Sequence, residues 1–547
     1  MSMRAFKFFL IGAALAVSLQ PRPASAAQDP ETSGSLIRLQ EPVFLSFEEL
    51  QSLARSPRAP DEFQKKLKAF WETPIISNEA YFRGVRPAHL SLPEIGPFIR
   101  AATWNVEKSF HIPNLVKLLE SPENLSLLVR RDKPLAPDKA ALLLEQRNRL
   151  AESDIILLQE MDIGVKRSGY VDAPRLLAEA LNMNYAYAAE QLEIDPVTLG
   201  LERIDFEEGG EDAEATSYYL ADAARYKGAF GCAVLSRYPI LSAQAFQLKQ
   251  QPYDWYHAER AKPSFLEHAR RKGTRLLFLN EITREVKIGG RIFFRVDLAV
   301  PELPGGVLSV INVHMEIKCL PEGRRAQMEE ILSVIREIRN PVILAGDFNS
   351  APTDISSTSL RRVAVRTAKN PTTWLSAGIS LLAPNAMAIN TSRGFSNLTK
   401  NLQDPTARDI RIVAPNPVRP LFDLIQNYRF ADGSAFDFRG GKAQSWKGKA
   451  GTLSNSNQRD LKGFVTTFEL RRPIAGIIGK YKLDWFFIKS NFLKSPAPDS
   501  GSYRFAPHFG EVLEDLNTSL EVQISDHHPM VVDLPLGEPS HEAVLKN

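Results

Sequence analysis

The stretch Val342-Ile-Leu-Ala-Gly-Asp-Phe-Asn-Ser350 is a short apolar run that stops at Gly346 and hands over to Asp347 and Asn349. An uninterrupted apolar run bounded by glycine reads as a strand buried on both faces, and the polar residues after it as the loop at its carboxyl end. The same pattern recurs along the chain. Ile99 to Trp104 is followed by Asn105-Val106-Glu107, Ile155 to Leu158 by Gln159-Glu160, and Val307 to Val313 by His314. Ala233 to Ser236, Arg291 to Val300, Lys482 to Ile488 with Asp484 inside it, and Met530 to Leu534 complete the predicted strands, the last preceded by Ser525-Asp526-His527-His528-Pro529. Helices fit between them at Pro137 to Ala151 and Glu322 to Arg339, where Met328, Ile331, Leu332 and Ile335 recur at helical spacing. Strands alternating with helices predict an α/β fold.

Outside this region the chain reads differently. Arg4 and Lys7, the apolar run Phe8 to Leu19 and the small residues Ala24-Ser25-Ala26 make residues 1–26 an expected signal peptide. That apolar run is too short to cross a bilayer, which needs about 20 residues, and no later stretch is long and apolar enough. The expected location is therefore exported, periplasmic or extracellular. Residues 27–97 read as an N-terminal extension, with a capping box at Ser46-Phe-Glu-Glu49 and a helix over Phe63 to Trp71. Residues 202–214 carry seven acids against Arg203 and read as a solvated loop. Residues 351–480 are a long polar insertion, too large for a plain connection, that either folds over a site or packs as a subdomain. Residues 537–547 read as a tail.

At 547 residues and 44% hydrophobic the chain is long enough for a large core. Loss of residues 1–26 removes Arg4, Lys7 and Arg22 and no acid, taking the formal charge from +3 to zero. Nucleic acid remains a possible partner that net charge does not support, because proteins gripping long polyanions carry a basic excess. Cys232 and Cys319 allow one disulfide at most, and two buried thiols are the favoured alternative. Nothing in the sequence speaks to oligomeric state.

A lone Asp or Asn after a strand is usually a cap or turn former, and a lone His is usually structural. Here such groups fall repeatedly at strand ends, where open α/β sheets gather their ligand sites. Together, WNVE (104–107), QE (159–160), GCAVLSRYPI (231–240), NVH (312–314), GDFN (346–349), LDW (483–485) and SDHHP (525–529) resemble, in order and across residues 98–536, the endonuclease/exonuclease/phosphatase superfamily. That superfamily includes pancreatic-type deoxyribonucleases, apurinic endonucleases, inositol polyphosphate phosphatases and bacterial sphingomyelinases.

The resemblance implies a four-layer α/β/β/α sandwich of two packed mixed sheets with helices outside, and metal-assisted hydrolysis of a phosphate ester by water. Magnesium, with manganese as an alternative, takes oxygen ligands and usually needs only one or two carboxylates. Glu160 is the leading ligand, and by resemblance Asn105, Glu107 and Asp526 surround it, although the family more often carries Asp where Glu107 stands. Asp484 and His527 fit an oriented base. By the same resemblance Asp347 orients the nucleophile, Asn349 donates to phosphoryl oxygens, and His314 is a second donor. His528 must point away from the site if His527 faces it, since neighbours in an extended segment alternate. Ser236 and Arg237 read as a packed strand end, and Arg324 and Gln327 as a solvated helix start rather than a phosphate contact.

Other hydrolase classes fit less well. H-E-x-x-H, the G-x-x-x-x-G-K-[ST] phosphate loop and the G-x-S-x-G elbow are absent, and nine histidines make a calcineurin-type metal cluster hard to build. The specific alternatives are a secreted nuclease, a phospholipid or sphingomyelin phosphodiesterase using Trp374, Trp446 and Ile474 to Ile478 as apolar material, and a catalytically dead binding protein.

Overall fold

In the computed structural model, β4 (Gly96–Asn105) and β5 (Ile155–Ile163) run parallel, joined across one face by α4 (Pro137–Ala151). The arrangement recurs in a second sheet, where β11 (Val307–His314) and β12 (Val342–Asp347) run parallel and α6 (Pro321–Ile335) makes the crossover. A parallel pair requires such a crossover, and the apolar stripe of the helix closes one face of the sheet. The structure describes residues 36–540 apart from 131–134, 203–204, 208–209, 212–218, 261–284, 352–403, 407–408, 412–413, 461–462, 475–477, 491–492 and 494–500. No described helix is long and apolar enough to cross a membrane.

Among the described residues the first sheet has ten strands. Besides β4 and β5 these are β1 (Leu39–Gln40), β2 (Ile75–Ser77), β3 (Ser91–Leu92), β6 (Asn184–Glu193), β7 (Ala229–Ser236), β9 (Lys287–Gly289), β14 (His508–Val512) and β15 (Met530–Pro535). The order is β1-β2-β6-β7-β5-β4-β15-β14, with β9 on β6 and β3 on β4. The second sheet has five strands in the order β8-β10-β11-β12-β13, adding β8 (Ile240–Gln247), β10 (Ile292–Ala299) and β13 (Asp484–Lys489).

Three apolar layers show how the sheets stack. Ile99, Ile155, Leu157, Val234, Phe294, Val310, Ile343, Phe486 and Val532 meet between the sheets. Their strand neighbours Trp104, Ile156, Leu158 and Leu235 turn outward, against α1 (Phe47–Arg55), α2 (Asp61–Glu72), α3 (Ile112–Glu120), α4 and α5 (Ala173–Leu181). On the far side Ile311, Leu344, Trp485 and Phe487 face Met328, Ile331 and Leu332 of α6 and Leu421, Phe422 and Ile425 of α7 (Arg419–Asn427). Alternate residues of one strand thus serve opposite layers, and the result is the expected α/β/β/α sandwich. The capping box at Ser46 is present, with both reciprocal bonds made.

Several expectations change. Asn184–Glu193, Ile240–Gln247 and His508–Val512 are strands the apolar runs did not announce, two of them because polar residues interrupt the pattern. Asp484 is the first residue of its strand rather than an interior one. In the tract expected as a polar insertion, Val418, Phe422, Phe430, Phe436, Phe438, Leu453 and Phe464 belong to the outer core of the second sheet. Trp374 lies outside the described residues, as do 475–477 of the Ile474 to Ile478 stretch, and Trp446 stacks on the Arg149 guanidinium, 5.0 Å from its ring centroid. Arg324 and Gln327 are fully buried rather than solvated. Arg324 donates to Ser350 Oγ and to the Glu316 and Cys319 carbonyls, while Gln327 accepts from the Glu316 N–H, so both shape the loop after His314. Cys232 and Cys319 are buried thiols not joined in a disulfide.

Candidate active site

Strand register assembles the site before any side chain is considered. His314 stands opposite Asp347 on the parallel neighbour, and Asp347 opposite Asp484 on the next strand. In the first sheet Asn105 stands opposite Gln159, one residue before Glu160. Gly346 permits the close spacing: its φ is +136°, and a Cβ there would lie 2.0 Å from the Val313 carbonyl oxygen. The register of β5 shifts between Leu158 and Met161, with Glu160 at φ +60°. Glu107, Lys108 and Ser109 have φ of +46°, +53° and +55°. Left-handed backbone at non-glycine residues is costly and persists only where its surroundings hold it. Here it brings the Lys108 N–H to Glu160 Oε2 at 3.0 Å.

The groups converge tightly. The Asn105 amide nitrogen lies 3.2 Å from both Glu160 Oε1 and Asp347 Oδ2. His314 Nε2 lies 3.6 Å from Glu160 Oε1 and 3.8 Å from Asp347 Oδ2. His527 Nδ1 is 2.9 Å from Asp484 Oδ2, while its Nε2 is 3.9 Å from Asp347 Oδ2. Asn349 donates from its backbone to Asp347 Oδ1 at 2.8 Å, and from its amide to Asp347 Oδ2 and the Met315 carbonyl. Glu107 Oε2 accepts from the Asp526 N–H at 3.1 Å, tying those two residues to each other. His528 points away, into a fully buried position beside Asn517.

Charge follows from this crowding. Burial opposes ionisation of Glu160, but His314 and Lys108 outweigh it and lower its pKa. Burial raises the Asp347 pKa and neighbouring Asp484 adds to the rise. Burial disfavours a charged His527, yet Asp484 and Asp347 together carry its pKa well above the ordinary imidazole value.

The site's chemistry suits a hard divalent cation. Glu160 and Asp347 present oxygens of two acids to one amide nitrogen, a like-charge pair that a cation relieves, and magnesium needs little more than one or two carboxylates plus water and phosphate. Asp347, Asp484 and His527 also bring ligand atoms within 4.8 Å of one another, as do Glu190, Cys232 and His314. In the second trio the acid and the thiol are bonded to each other. Burial and Glu190 raise the Cys232 thiol's pKa, so it stays protonated and donates to Glu190 Oε1 at 2.8 Å.

The model of the Endonuclease/Exonuclease/phosphatase family matches residues 102–527 of this chain. The chain belongs to the endonuclease/exonuclease/phosphatase family. Its enzymes are divalent-metal-dependent, and this member is a metal-dependent hydrolase of phosphate ester bonds. No curated protein matches it. Among solved structures it is similar to an endonuclease/exonuclease/phosphatase from Beutenbergia cavernae DSM 12333, at 16% identity and TM-score 0.35, covering 82% of this chain and 76% of that one. It is also similar to a 3'-5' exonuclease from Neisseria meningitidis, at 14% identity and TM-score 0.34, covering 80% and 99%, and to ANGEL2, a 2',3'-cyclic phosphatase, at 15% identity and TM-score 0.33, covering 80% and 96%.

The family site has supports that strand-end reading misses. Glu190 Oε2 lies 3.4 Å from His314 Nδ1, and Arg291 lies 2.7 Å from the same nitrogen and 2.9 Å from Glu190. The same Arg291 nitrogen lies 3.2 Å from Nε2, so the guanidinium and Glu190 together fix the ring with Nε2 toward Glu160 and Asp347. An acid inside the strand Asn184–Glu193 was the available signal. Asn312 joins the sheets, donating to the Leu158 and Ala233 carbonyls and accepting from Gln159 at 2.7 Å. His527 is held by the Trp104 and Asn517 side chains on its carbonyl and by Ser525 Oγ on its N–H. Phe468 packs edge-on against its ring, centroids 5.0 Å apart.

Proposed function

We propose that this chain is an exported, magnesium-dependent phosphoesterase that hydrolyses a phosphate ester by direct attack of water. The observation that carries the reading is the convergence of His527 with Asp484, and of Asp347, Glu160 and His314, on one point at the sheet ends, with separations of 2.9 to 3.9 Å. Asp484 fixes the His527 ring, and in its neutral form Nε2 takes a proton from water as the new O–P bond forms and the ester P–O bond breaks, the leaving oxygen departing as an alkoxide that solvent reprotonates. The carboxylates that raise the His527 pKa also stabilise the imidazolium left behind. Asp347 Oδ2, 3.9 Å from His527 Nε2, accepts a hydrogen bond from the same water and orients it. His314 Nε2–H donates to a phosphoryl oxygen, and no covalent enzyme intermediate is required. Glu160 and Asn105, with Glu107 and Asp526 alongside, would hold the cation, which when bound neutralises phosphate charge and stabilises the leaving oxygen.

Purified protein lacking residues 1–26, tested with and without magnesium on plasmid DNA, RNA, sphingomyelin, inositol phosphates and aryl phosphate mono- and diesters, should turn over at least one class only with the metal. Absence of turnover on every member would sink the reading in favour of a binding scaffold. Export rests on the Phe8 to Leu19 run and Ala24-Ser25-Ala26. Protein recovered from the periplasm or medium of an expressing bacterium should begin at Ala27, and full-length protein retained in the cytosol would refute export.

A further inference from the structure

On the side of the 525–529 segment turned away from Asp347, three ligand groups meet that the hydrolytic steps leave unused. We propose that His528, Glu469 and Glu514 form a second metal site, which takes a divalent transition metal of the zinc type and clamps the segment carrying His527. The proposal goes beyond the phosphoesterase reading and stands without it.

The backbone gathers the three residues. The His528 N–H bonds the Thr467 carbonyl at 2.6 Å, the Glu469 N–H bonds the Asp526 carbonyl at 2.8 Å, and the Leu513 N–H bonds the Pro529 carbonyl at 2.8 Å. The strand Phe468–Ile474 and the short helix Glu514–Thr518 are thus both laced to the segment that carries His527. Neighbours in an extended segment face opposite ways, so His527 turns to Asp347 and His528 to the two glutamates. His528 Nε2 lies 3.9 Å from Glu469 Oε2. One ligand atom from each of His528, Glu469 and Glu514 lies within 4.8 Å of the other two.

Uncommitted ligand atoms separate this trio from an ordinary cluster of acids. His528 is fully buried, and its Nε2 makes no hydrogen bond. A buried polar nitrogen without a partner carries a desolvation cost that a ligand bond recovers. Lys480 takes Glu469 Oε1 at 2.9 Å and leaves Oε2 toward the imidazole. Lys139 is matched to Asp515 at 3.5 Å. Among the described residues the Glu514 carboxylate makes no ion pair or hydrogen bond. Burial raises the Glu514 pKa, and Glu469 and Asp515 add to the rise against the pull of Lys480 and Lys139. A cation shared by the three groups satisfies the nitrogen and relieves the two acids at once.

The donor set selects the ion. An imidazole nitrogen with two carboxylate oxygens suits zinc and its first-row neighbours, whereas magnesium takes oxygen ligands and keeps its waters. Zinc bonds nitrogen and oxygen at about 2.0–2.2 Å, so binding draws the two glutamate side chains inward toward a histidine that packing already holds. The ion then joins strand, helix and catalytic segment through side chains as well as backbone.

Calorimetric titration of zinc in excess magnesium tests the site. Wild type and Glu160→Gln should bind zinc alike. Glu514→Gln should bind it more weakly by at least the roughly 10–100-fold that loss of a ligand's hydrogen-bonding partner costs at metal sites, and His528→Gln should do the same. Glu514 is partly exposed, so its variant serves if that of the buried histidine fails to fold. Zinc should also raise the melting temperature of wild type and slow amide exchange over residues 525–528, and Glu514→Gln should lose both effects. Folded Glu514→Gln and Glu469→Gln proteins that bind zinc as wild type does overturn the site. Zinc binding lost in Glu160→Gln alone overturns it too, by placing the ion at the reaction centre.

Discussion

A His527→Ala enzyme should hydrolyse its substrate about 10²–10⁴-fold more slowly than wild type at saturating substrate, the span general base catalysis commonly supplies. The geometry gives the loss a specific origin. His527 Nε2 is the imidazole nitrogen facing Asp347 at 3.9 Å, and its other nitrogen is committed to Asp484 at 2.9 Å. His314 is engaged differently, with Arg291 and Glu190 around its Nδ1. Asp484→Asn should also cost activity while leaving KM nearly unchanged, because the ring keeps a hydrogen-bonding neighbour but loses the charge that favours imidazolium. Added imidazole should restore part of the alanine variant's kcat through the space the ring vacates. A loss below tenfold, or a variant whose lost activity tracks a lowered melting temperature, would remove His527 from the base role.

How much of this was legible in the sequence differs by layer. The groups that converge were, since a hard cation, an oriented base and phosphate donors call for Asp, Glu, Asn and His, and they lie at or beside the ends of apolar runs, with Asp484 opening its strand and Glu160 at the irregularity within its own. Gly346-Asp347-Phe348-Asn349 illustrates the case: glycine for the close approach to Val313, Asp347 toward the site, Phe348 in the core, and Asn349 folding back on Asp347. The supports were hidden because their partners are remote in sequence. Ser525 bonds the Asn105 carbonyl across 420 positions, and Trp104 bonds the His527 carbonyl across 423. No local pattern announces such a pairing. The outer layer was hidden for another reason: Phe422, Phe430, Phe436 and Phe438 follow neither helical nor strand period over their span, and only the fold shows that one sheet face collects them. Arg324 misled by type, since a buried guanidinium that spends its donors on loop carbonyls looks in sequence like a solvated one.

Removal of divalent metal should abolish turnover, magnesium should restore it, and Glu160→Gln should raise the magnesium concentration for half-maximal rate by about 10²-fold. A divalent cation and a unit charge 4 Å apart near a protein surface attract by about 8 kcal/mol at an effective dielectric of 20, well above the roughly 2.8 kcal/mol that a 10²-fold shift requires. The amide is isosteric and can still accept from the Lys108 N–H that now holds Glu160 Oε2 at 3.0 Å, so the change removes charge rather than shape. Glu107 supplies the internal comparison. One of its carboxylate oxygens already accepts from the Asp526 N–H at 3.1 Å, so Glu107→Gln should shift the metal requirement by less than Glu160→Gln. Calorimetric titration of magnesium, independent of turnover, should follow the same order. A Glu160→Gln protein that binds magnesium as wild type does would move the cation away from the Asn105–Glu160 end of the site and onto Asp347, Asp484 and His527, whose ligand atoms also lie within reach of one ion. His527 would then have to be a ligand, and the base assignment would fall with it.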